Sequence, residues 1–310
     1  MSAPRRTPRR ELSGILLLDK PTGISSNDAL QRAKRIFRAA KAGHTGSLDP
    51  LATGVLPLCF GEATKLCGVL LESDKVYRAR ARLGVRTATG DSEGEPVAHS
   101  AALLDRAGLE AVLPRFLGAL RQIPPMYSAL KREGRPLYEL ARAGIEVERE
   151  ARDIVVHRLE LLSFGEGHFE VEVHCSKGTY IRTLVEDLAA AAGECAHLVA
   201  LRRTAVTPFA GHPLADFAAL EAAAEAGEGA LDALLLSPAE GLRHWPSVRV
   251  DPAQAAALAQ GKAVSLDGLP THDRLAVLDG DGALLGLAES REGGCIQPRR
   301  WLVRAAAACG

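Results

Sequence analysis

The chain has 310 residues, 47% of them hydrophobic and 25% charged, a composition typical of a soluble globular protein. No apolar run approaches the roughly 20 residues of a membrane-spanning helix, and the length predicts a large domain with a smaller one, or two comparable domains. The 38 basic and 38 acidic residues balance, which argues against a uniformly basic nucleic-acid binder.

The first ten residues are basic but lack the apolar core and cleavage site of a secretory signal. We therefore expect a flexible basic tail and a cytoplasmic protein. Residues 14–19 predict a buried strand, and Ser26 is predicted to cap the helix that follows. The apolar residues of that helix are Leu30, Ala33, Ile36 and Phe37.

Residues 43–54 form the most informative segment, a turn rich in glycine and hydroxyl residues that holds one carboxylate, Asp49. Its glycines permit close backbone approach, and Pro50 fixes the chain directly after the carboxylate. Such a turn can aim one reactive group. The alternative is an ordinary surface turn in which Asp49 bonds only its own backbone.

Residues 77–86 alternate between apolar residues and arginines, which predicts a half-buried strand with an arginine edge. The same period recurs at residues 169–175. A break at 176–179 and a predicted helix over 183–192 then place Tyr180 and Arg182 at a strand-to-helix junction.

Residues 123–135 read as an irregular basic segment around Tyr127, suited to gripping RNA. An alanine-rich region over 216–236 predicts helix, and the pattern changes beyond Pro246, where we expect a domain boundary. The turn at 279–282 predicts a hairpin within a small β-rich module.

No motif indicates a cofactor. The chain has neither a GxGxxG turn nor a GxxxxGK[ST] loop, so no nucleotide cofactor is expected. Its six cysteines form no CxxC pair and no Cys/His spacing suited to zinc, so we expect reduced, mostly structural thiols and no metal.

Basic residues cluster despite the neutral net charge, and such patches could contact phosphates. The alternative for each cluster is an ordinary solvated face. The clusters lie at residues 5–10, 78–86, 131–135, 202–203 and 299–300.

Several of these segments, in order, resemble motifs of the bacterial tRNA pseudouridine synthase B family over roughly residues 11–210. Residues 18–23 resemble its lysine-proline motif and residues 43–54 its aspartate motif. Residues 75–79 resemble its tyrosine motif, and residues 175–182 with 201–203 its late motifs. Ser47 stands where members often carry threonine or alanine.

The resemblance implies an α+β fold with a mixed, mainly antiparallel central sheet flanked by helices. It further implies a catalytic domain over 11–245, with an insertion at about 122–150 that binds the T arm of tRNA. Residues 246–310 would form a small, β-barrel-like, RNA-binding PUA domain, which could contact the acceptor end of tRNA. A stand-alone monomer is expected.

The activity implied is conversion of uridine 55 in the tRNA T loop to pseudouridine, without a cofactor. Asp49 would be the nucleophile, held ionised by Arg182, with Asp91 as a second acid on the same arginine. Tyr77 would lie on the base and abstract a proton. Supporting substrate contacts are implied for Lys20, His44, Asp91, Tyr180 and Leu201, with His44 filling the stack that the flipped base leaves.

Two other functional classes are kept as alternatives. A non-catalytic RNA-folding factor could use the same surface, and its activity would not depend on Asp49; such folding assistance could also accompany catalysis. An aspartyl-nucleophile hydrolase would carry a DxD-type metal site, which Asp49-Pro50-Leu51 does not supply. The sequence does not separate a glycal route from attack of Asp49 on C6 of the base.

Overall fold

The computed structural model describes residues 8–302 except 102, 129, 267, 268 and 270. In chain order the strands are β1 Gly14–Lys20, β2 Ala42–His44, β3 Thr53–Phe60, β4 Lys75–Leu83, β5 Val85–Thr87, β6 Pro96–His99, β7 Gly118–Gln122, β8 Lys131–Arg132, β9 Arg135–Pro136, β10 Arg152–Gly165, β11 His168–Cys175, β12 Ala196–Val206, β13 Ser247–Arg249, β14 Val264–Ser265, β15 His272–Leu278, β16 Leu284–Arg291 and β17 Cys295–Trp301. The α-helices are α1 Ser26–Ile36, α2 Cys67–Leu71, α3 Arg106–Val112, α4 Leu137–Arg142, α5 Ile181–Ala191, α6 Phe217–Ala226, α7 Glu228–Asp232 and α8 Pro252–Ala259.

Eight strands form a central sheet in the order β1-β3-β12-β4-β11-β10-β7, with β2 paired to β3. The β3–β12 contact is parallel, and the other pairs in this sheet are antiparallel. Helices α3 and α5 pack on one face over a large apolar core, and α1, α6 and α7 cover β1 and β3. The predicted α+β class with a mixed, mainly antiparallel sheet is confirmed.

Strand β4 shows the predicted alternation, with Tyr77, Ala79 and Ala81 buried and the intervening arginines exposed. The predicted arginine edge is wrong, because β4 lies between β12 and β11 in the middle of the sheet. Its arginines therefore line an exposed sheet face. Side-chain period alone distinguishes two faces but carries no information about a strand's neighbours.

Helix α1 is capped by Ser25 rather than by the predicted Ser26. Ser25 has extended backbone geometry, and its hydroxyl accepts a hydrogen bond from the Asp28 N–H at 3.1 Å. Helix α5 begins at Ile181, two residues before the prediction. The alanine-rich region divides into α6 and α7 at Gly227, whose φ of +115° ends the first helix.

The C-terminal strands form a separate five-stranded sheet in the order β13-β15-β16-β17-β14. The predicted hairpin joins β15 to β16. Leu284 and Leu287 of this sheet share one apolar core with Leu66 and Leu70. Lys65 reinforces that contact, since its ammonium donates to the Trp301 carbonyl at 2.9 Å.

Within the described residues, no helix is long and apolar enough to cross a membrane. Five cysteines in that part of the chain are free thiols, and the sixth, Cys309, lies outside the described residues. Most of the predicted basic tail, residues 1–7, also lies outside them. Arg10 of that tail pairs with Asp232 at 2.6 Å.

Candidate active site

The turn that carries Asp49 is held by the last residue of β1 and the first residue of α1. The buried Lys20 ammonium donates to the Ile24 carbonyl at 2.7 Å and, more weakly, to the Pro50 carbonyl at 3.4 Å. The Ser26 hydroxyl donates to the Leu48 carbonyl at 3.0 Å and accepts from the Leu48 N–H at 2.7 Å. The backbone on both sides of Asp49 is therefore fixed, which supports an aimed carboxylate over a freely solvated turn.

Asp49 and Arg182 form the predicted pair, with Arg182 Nε 2.9 Å from Asp49 Oδ2. The guanidinium contacts that carboxylate through one nitrogen. Its two remaining nitrogens donate to the carbonyls of Thr89 and Tyr127, each at 2.7 Å. Only 5% of the arginine side chain is exposed, and its contacts with three segments of the chain hold it in one direction.

Asp91 is the second acid near Arg182, as predicted, at 3.6 Å from Nη1. Its carboxylate also accepts hydrogen bonds from the Thr89 hydroxyl at 2.5 Å and from the Glu93 N–H at 3.1 Å. Asp91 thus approaches a different nitrogen of the guanidinium from the one that Asp49 contacts. It is placed to orient Arg182 rather than to reach a ligand.

Asp49 lies on the wall of a cavity of about 470 Å³. Burial raises the pKa of Asp49, and the Arg182 guanidinium opposes that rise. With 41% of its side chain still exposed, the carboxylate keeps some contact with solvent, which also limits the rise. The cavity also brings together four of the predicted residues, namely Tyr77, Tyr180, Arg182 and Leu201.

Tyr77 projects from β4 beside Arg203, its register partner on β12. Burial raises the pKa of the Tyr77 phenol, while the Arg203 guanidinium lowers it. Arg203 is 1% exposed and donates to the carbonyls of Val55 at 2.7 Å and Gly46 at 3.1 Å. Arg203 is therefore not part of an exposed basic patch but ties β12 to the Asp49 turn.

His44 and Lys20 are not among the residues that line the cavity. His44 lies on β2, half-buried, and its Nδ1 is buried without a hydrogen-bond partner in the described structure. Burial lowers the pKa of His44, as does Arg203, so the ring is neutral at pH 7. Burial also lowers the pKa of Lys20 to about 8, although Asp49 opposes that fall.

Two further residues that sequence reasoning missed complete the site. Gln122 is buried at the end of β7, where its amide accepts from the Tyr180 N–H at 2.7 Å and donates to the Tyr180 carbonyl at 3.0 Å. Lys75 lines the cavity, and burial lowers its pKa to about 8. A lone glutamine gives no sequence signal of such a contact, whereas Lys75 stood within the tyrosine motif.

Three family profiles together match most of the chain. The family profile described as TruB family pseudouridylate synthase (N terminal domain) matches residues 34–181. Profiles for the tRNA pseudouridylate synthase B C-terminal domain and for pseudouridine synthase II TruB, C-terminal, match residues 182–242 and 246–302.

Solved structures share the fold at low sequence identity. A chain of a Cbf5-Nop10-Gar1 complex gives a TM-score of 0.73 at 24% identity, covering 94% of this chain and 85% of that one. A chain of an H/ACA RNP bound to a substrate RNA containing 2'-deoxyuridine gives 0.72 at 21% identity, with the same coverages.

Curated relatives are much closer in sequence. The tRNA pseudouridine synthase B of Pseudomonas aeruginosa (strain UCBPP-PA14) is 51% identical over 293 residues, which cover 94% of this chain and 96% of the relative. That of Azoarcus sp. (strain BH72) is 50% identical over 298 residues, covering 96% and 97%. With such identity over almost all of both chains, the protein belongs to the bacterial tRNA pseudouridine synthase B family.

Proposed function

We propose that the protein converts uridine 55 in the T loop of tRNA to pseudouridine. The observation that carries the proposal is the Asp49 carboxylate, fixed by Arg182 at 2.9 Å on the wall of a cavity. Family membership supplies the reaction, and the cavity supplies a place for one base and its ribose. The reaction is an isomerisation, so it requires no redox step and no cofactor is proposed.

The atoms balance within the nucleoside. The bond from ribose C1′ to N1 breaks, a bond from C1′ to C5 forms, C5 loses a proton and N1 gains one. Asp49 acts as the nucleophile and must be ionised, a state that the Arg182 guanidinium favours. In attack at C6, a bond from Asp49 to C6 forms and later breaks. In the glycal route, the carboxylate instead takes a proton from the ribose and later returns it, so both routes keep this balance.

Tyr77 is proposed to take the proton from C5. Since burial raises the pKa of its phenol, Tyr77 enters the reaction protonated. Its own proton must therefore pass to solvent as the phenol oxygen takes the proton from C5. Arg203 beside the ring lowers the pKa and so eases that release. Tyr180 and Leu201 pack around the extracted base within the same cavity.

The target base must leave its stack, which costs a few kcal/mol. His44 is proposed to occupy the vacated position, since stacking on an aromatic ring contributes about 1–3 kcal/mol per base. Its neutral ring suits stacking. Lys20 supports the site through the backbone of the Asp49 turn, and Asp91 through Arg182.

RNA contacts outside the cavity follow from the charge distribution. Lys131, Arg132 and Arg135 are exposed on the β8–β9 hairpin, within the insertion at 122–150 proposed to bind the T arm. Residues 11–245 would form the catalytic domain and 246–310 a PUA-like RNA-binding domain, which could reach the acceptor end. We propose a cytoplasmic monomer without a required protein partner, with residues 1–10 as a basic tail.

The decisive experiment compares the wild type with Asp49→Asn on an unmodified tRNA transcript, with pseudouridine and tRNA binding measured in parallel. We expect the variant to bind tRNA and to form no pseudouridine. A variant with wild-type turnover would refute Asp49 as the nucleophile. If both proteins bind tRNA and neither isomerises uridine, the chain is an RNA-folding factor instead.

A further inference from the structure

Three potential metal ligands meet on the sheet face that is turned away from the main core. They are Asp74, His157 and His174, and one ligand atom from each lies within 4.8 Å of the other two. His157 Nε2 is 3.2 Å from Asp74 Oδ2, and the two imidazole rings lie 4.9 Å apart at 49°. Among the described residues, this is the one group of three or more His, Cys, Asp or Glu side chains whose ligand atoms lie close enough to share a metal ion.

Three adjacent strands bring these residues together. Asp74 directly precedes β4, His174 lies on β11 and His157 on β10. Because Val173 and Cys175 point into the core, the alternation of β11 turns His174 to the opposite face. Residues 74, 157 and 174 are far apart in the chain, so spacing in the sequence gave no sign of a site.

Two local features fix the donors. The register between β10 and β11 shifts between Val156 and Arg158, which makes His157 the extra residue of a β-bulge. Bulges re-aim side chains, and this one adds a second consecutive exposed residue. The Asp74 backbone is held as well, because its carbonyl accepts from the Thr207 N–H and hydroxyl, each at 3.0 Å.

Two imidazoles and one carboxylate suit zinc and neighbouring transition metals, whereas magnesium and calcium prefer oxygen ligands throughout. Ligands about 2.0–2.1 Å from a tetrahedral zinc ion lie about 3.3 Å from one another. The separation of 3.2 Å between His157 and Asp74 already matches one edge of that tetrahedron. Small side-chain rotations would bring in His174.

An ion pair between His157 and Asp74 accounts for only part of this arrangement. It leaves unexplained the second imidazole beside the first, which would be repelled if both rings were protonated. A shared metal cation removes that repulsion, because a metal binds both imidazole rings in their neutral form. Arg158, the nearest basic neighbour along β10, is already paired with Glu160 at 3.0 Å.

We propose that Asp74, His157 and His174 bind one divalent transition metal ion of the zinc type, with water at the open position. The ion would join the ends of β4, β10 and β11. Lys75 directly follows Asp74, and Ser176 lies two residues after His174. Both residues line the active-site cavity. The site lies next to the cavity but outside it, so the ion would join the three strands rather than contact the substrate.

Calorimetric titration of tag-free, full-length protein with Zn²⁺ at pH 7.5 tests the proposal. We expect the variant carrying His157→Asn and His174→Asn to bind one equivalent fewer than wild type. Zn²⁺ should raise the Tm of wild type more than that of the variant. His99→Asn, which removes an exposed strand histidine on β6, is the matched control and should retain the full stoichiometry.

Titration with Co²⁺ separates this site from the cysteines. Nitrogen and oxygen ligands are supported if wild type shows visible cobalt absorption without a thiolate-to-cobalt charge-transfer band, and if the double variant lacks this visible absorption. Equal stoichiometry in wild type and double variant, or a charge-transfer band present in both with no other difference, overturns the proposal. Neither readout depends on pseudouridine formation, so failure here leaves the proposed function intact.

Discussion

At the scale of single residues, the site depends on polar groups that hold other groups. Arg182 contacts Asp49 with one nitrogen and uses the others on two backbone carbonyls, so its charge and its direction are set separately. Arg203 holds the Asp49 turn by donating to the Gly46 carbonyl, and Gln122 holds Tyr180 by accepting from its N–H. Groups buried this deeply cost free energy unless they are hydrogen-bonded, so each loss should be measurable.

Replacement of Gln122 by alanine should lower both stability and turnover. The variant leaves the N–H and the carbonyl of Tyr180 without their partners, at about 1–3 kcal/mol in the free energy of unfolding. Tyr180 would also lose its fixed position on the cavity wall, so kcat should fall more than tRNA affinity. Urea unfolding and single-turnover kinetics measure the two effects. Gln31→Ala, on the exposed face of α1, is the control, and equal effects in both variants would contradict the assignment.

The pH dependence of kcat/KM should report the ionisation of Asp49. Since burial raises the pKa of this carboxyl and Arg182 lowers it, activity should fall as the pH falls through that pKa. Arg182→Gln removes the charge that lowers the pKa of Asp49. As the pH falls, the residual activity of this variant should therefore decline at a higher pH than wild-type activity does. Arg202→Gln, whose guanidinium pairs with Asp19 at 2.8 Å on the exposed surface, should leave the limb in place.

Glu186 offers a rival explanation for the acid limb. It lies near Arg182, and burial raises its pKa to about 7, with Arg86 opposing that rise. Glu186→Gln should leave the limb unchanged if Asp49 is the titrating group. Loss of the limb in that variant would assign it to Glu186.

At the scale of elements, the parallel contact between β3 and β12 places the Asp49 turn against the sheet. Gly54, the second residue of β3, has a φ of +99°, and a Cβ atom there would lie 2.1 Å from the Arg203 carbonyl oxygen. The sequence marked this glycine as part of a tight turn. Its reason, the close approach of a strand from much later in the chain, emerges only from the fold.

Gly54→Ala should therefore be strongly destabilising. Left-handed geometry costs a side-chain-bearing residue about 1–2 kcal/mol, and overpacking typically adds about 1–3 kcal/mol. Gly68→Ala in α2 is a matched control, because a Cβ at that position meets no atom within 4 Å and alanine favours helix by about 0.5–1 kcal/mol. Urea unfolding of both variants measures the difference. A neutral Gly54→Ala would show that the contact relaxes freely.

At the scale of the whole molecule, the sequence predicted what local patterns and motif order encode. It placed the strands at 14–19 and 169–175, and it paired Asp49 with Arg182. It failed where pairing between strands distant in the chain determines which side chains are buried. Arg202 and Arg203 are adjacent and chemically identical, yet one is exposed and the other buried, because the register of β12 selects which residue faces the core.

The shared core between the two sheets predicts that they unfold together. Both tryptophans, Trp245 and Trp301, adjoin the C-terminal sheet, so fluorescence follows that sheet while far-UV circular dichroism follows the whole chain. The two urea transitions should coincide. Leu287→Ala should lower the free energy of unfolding from both transitions by about 2–5 kcal/mol, because Leu287 is buried where the sheets meet. Leu103→Ala changes a residue that is 83% exposed and should leave both transitions unchanged. A fluorescence transition that precedes the dichroism transition would show that the C-terminal sheet unfolds independently.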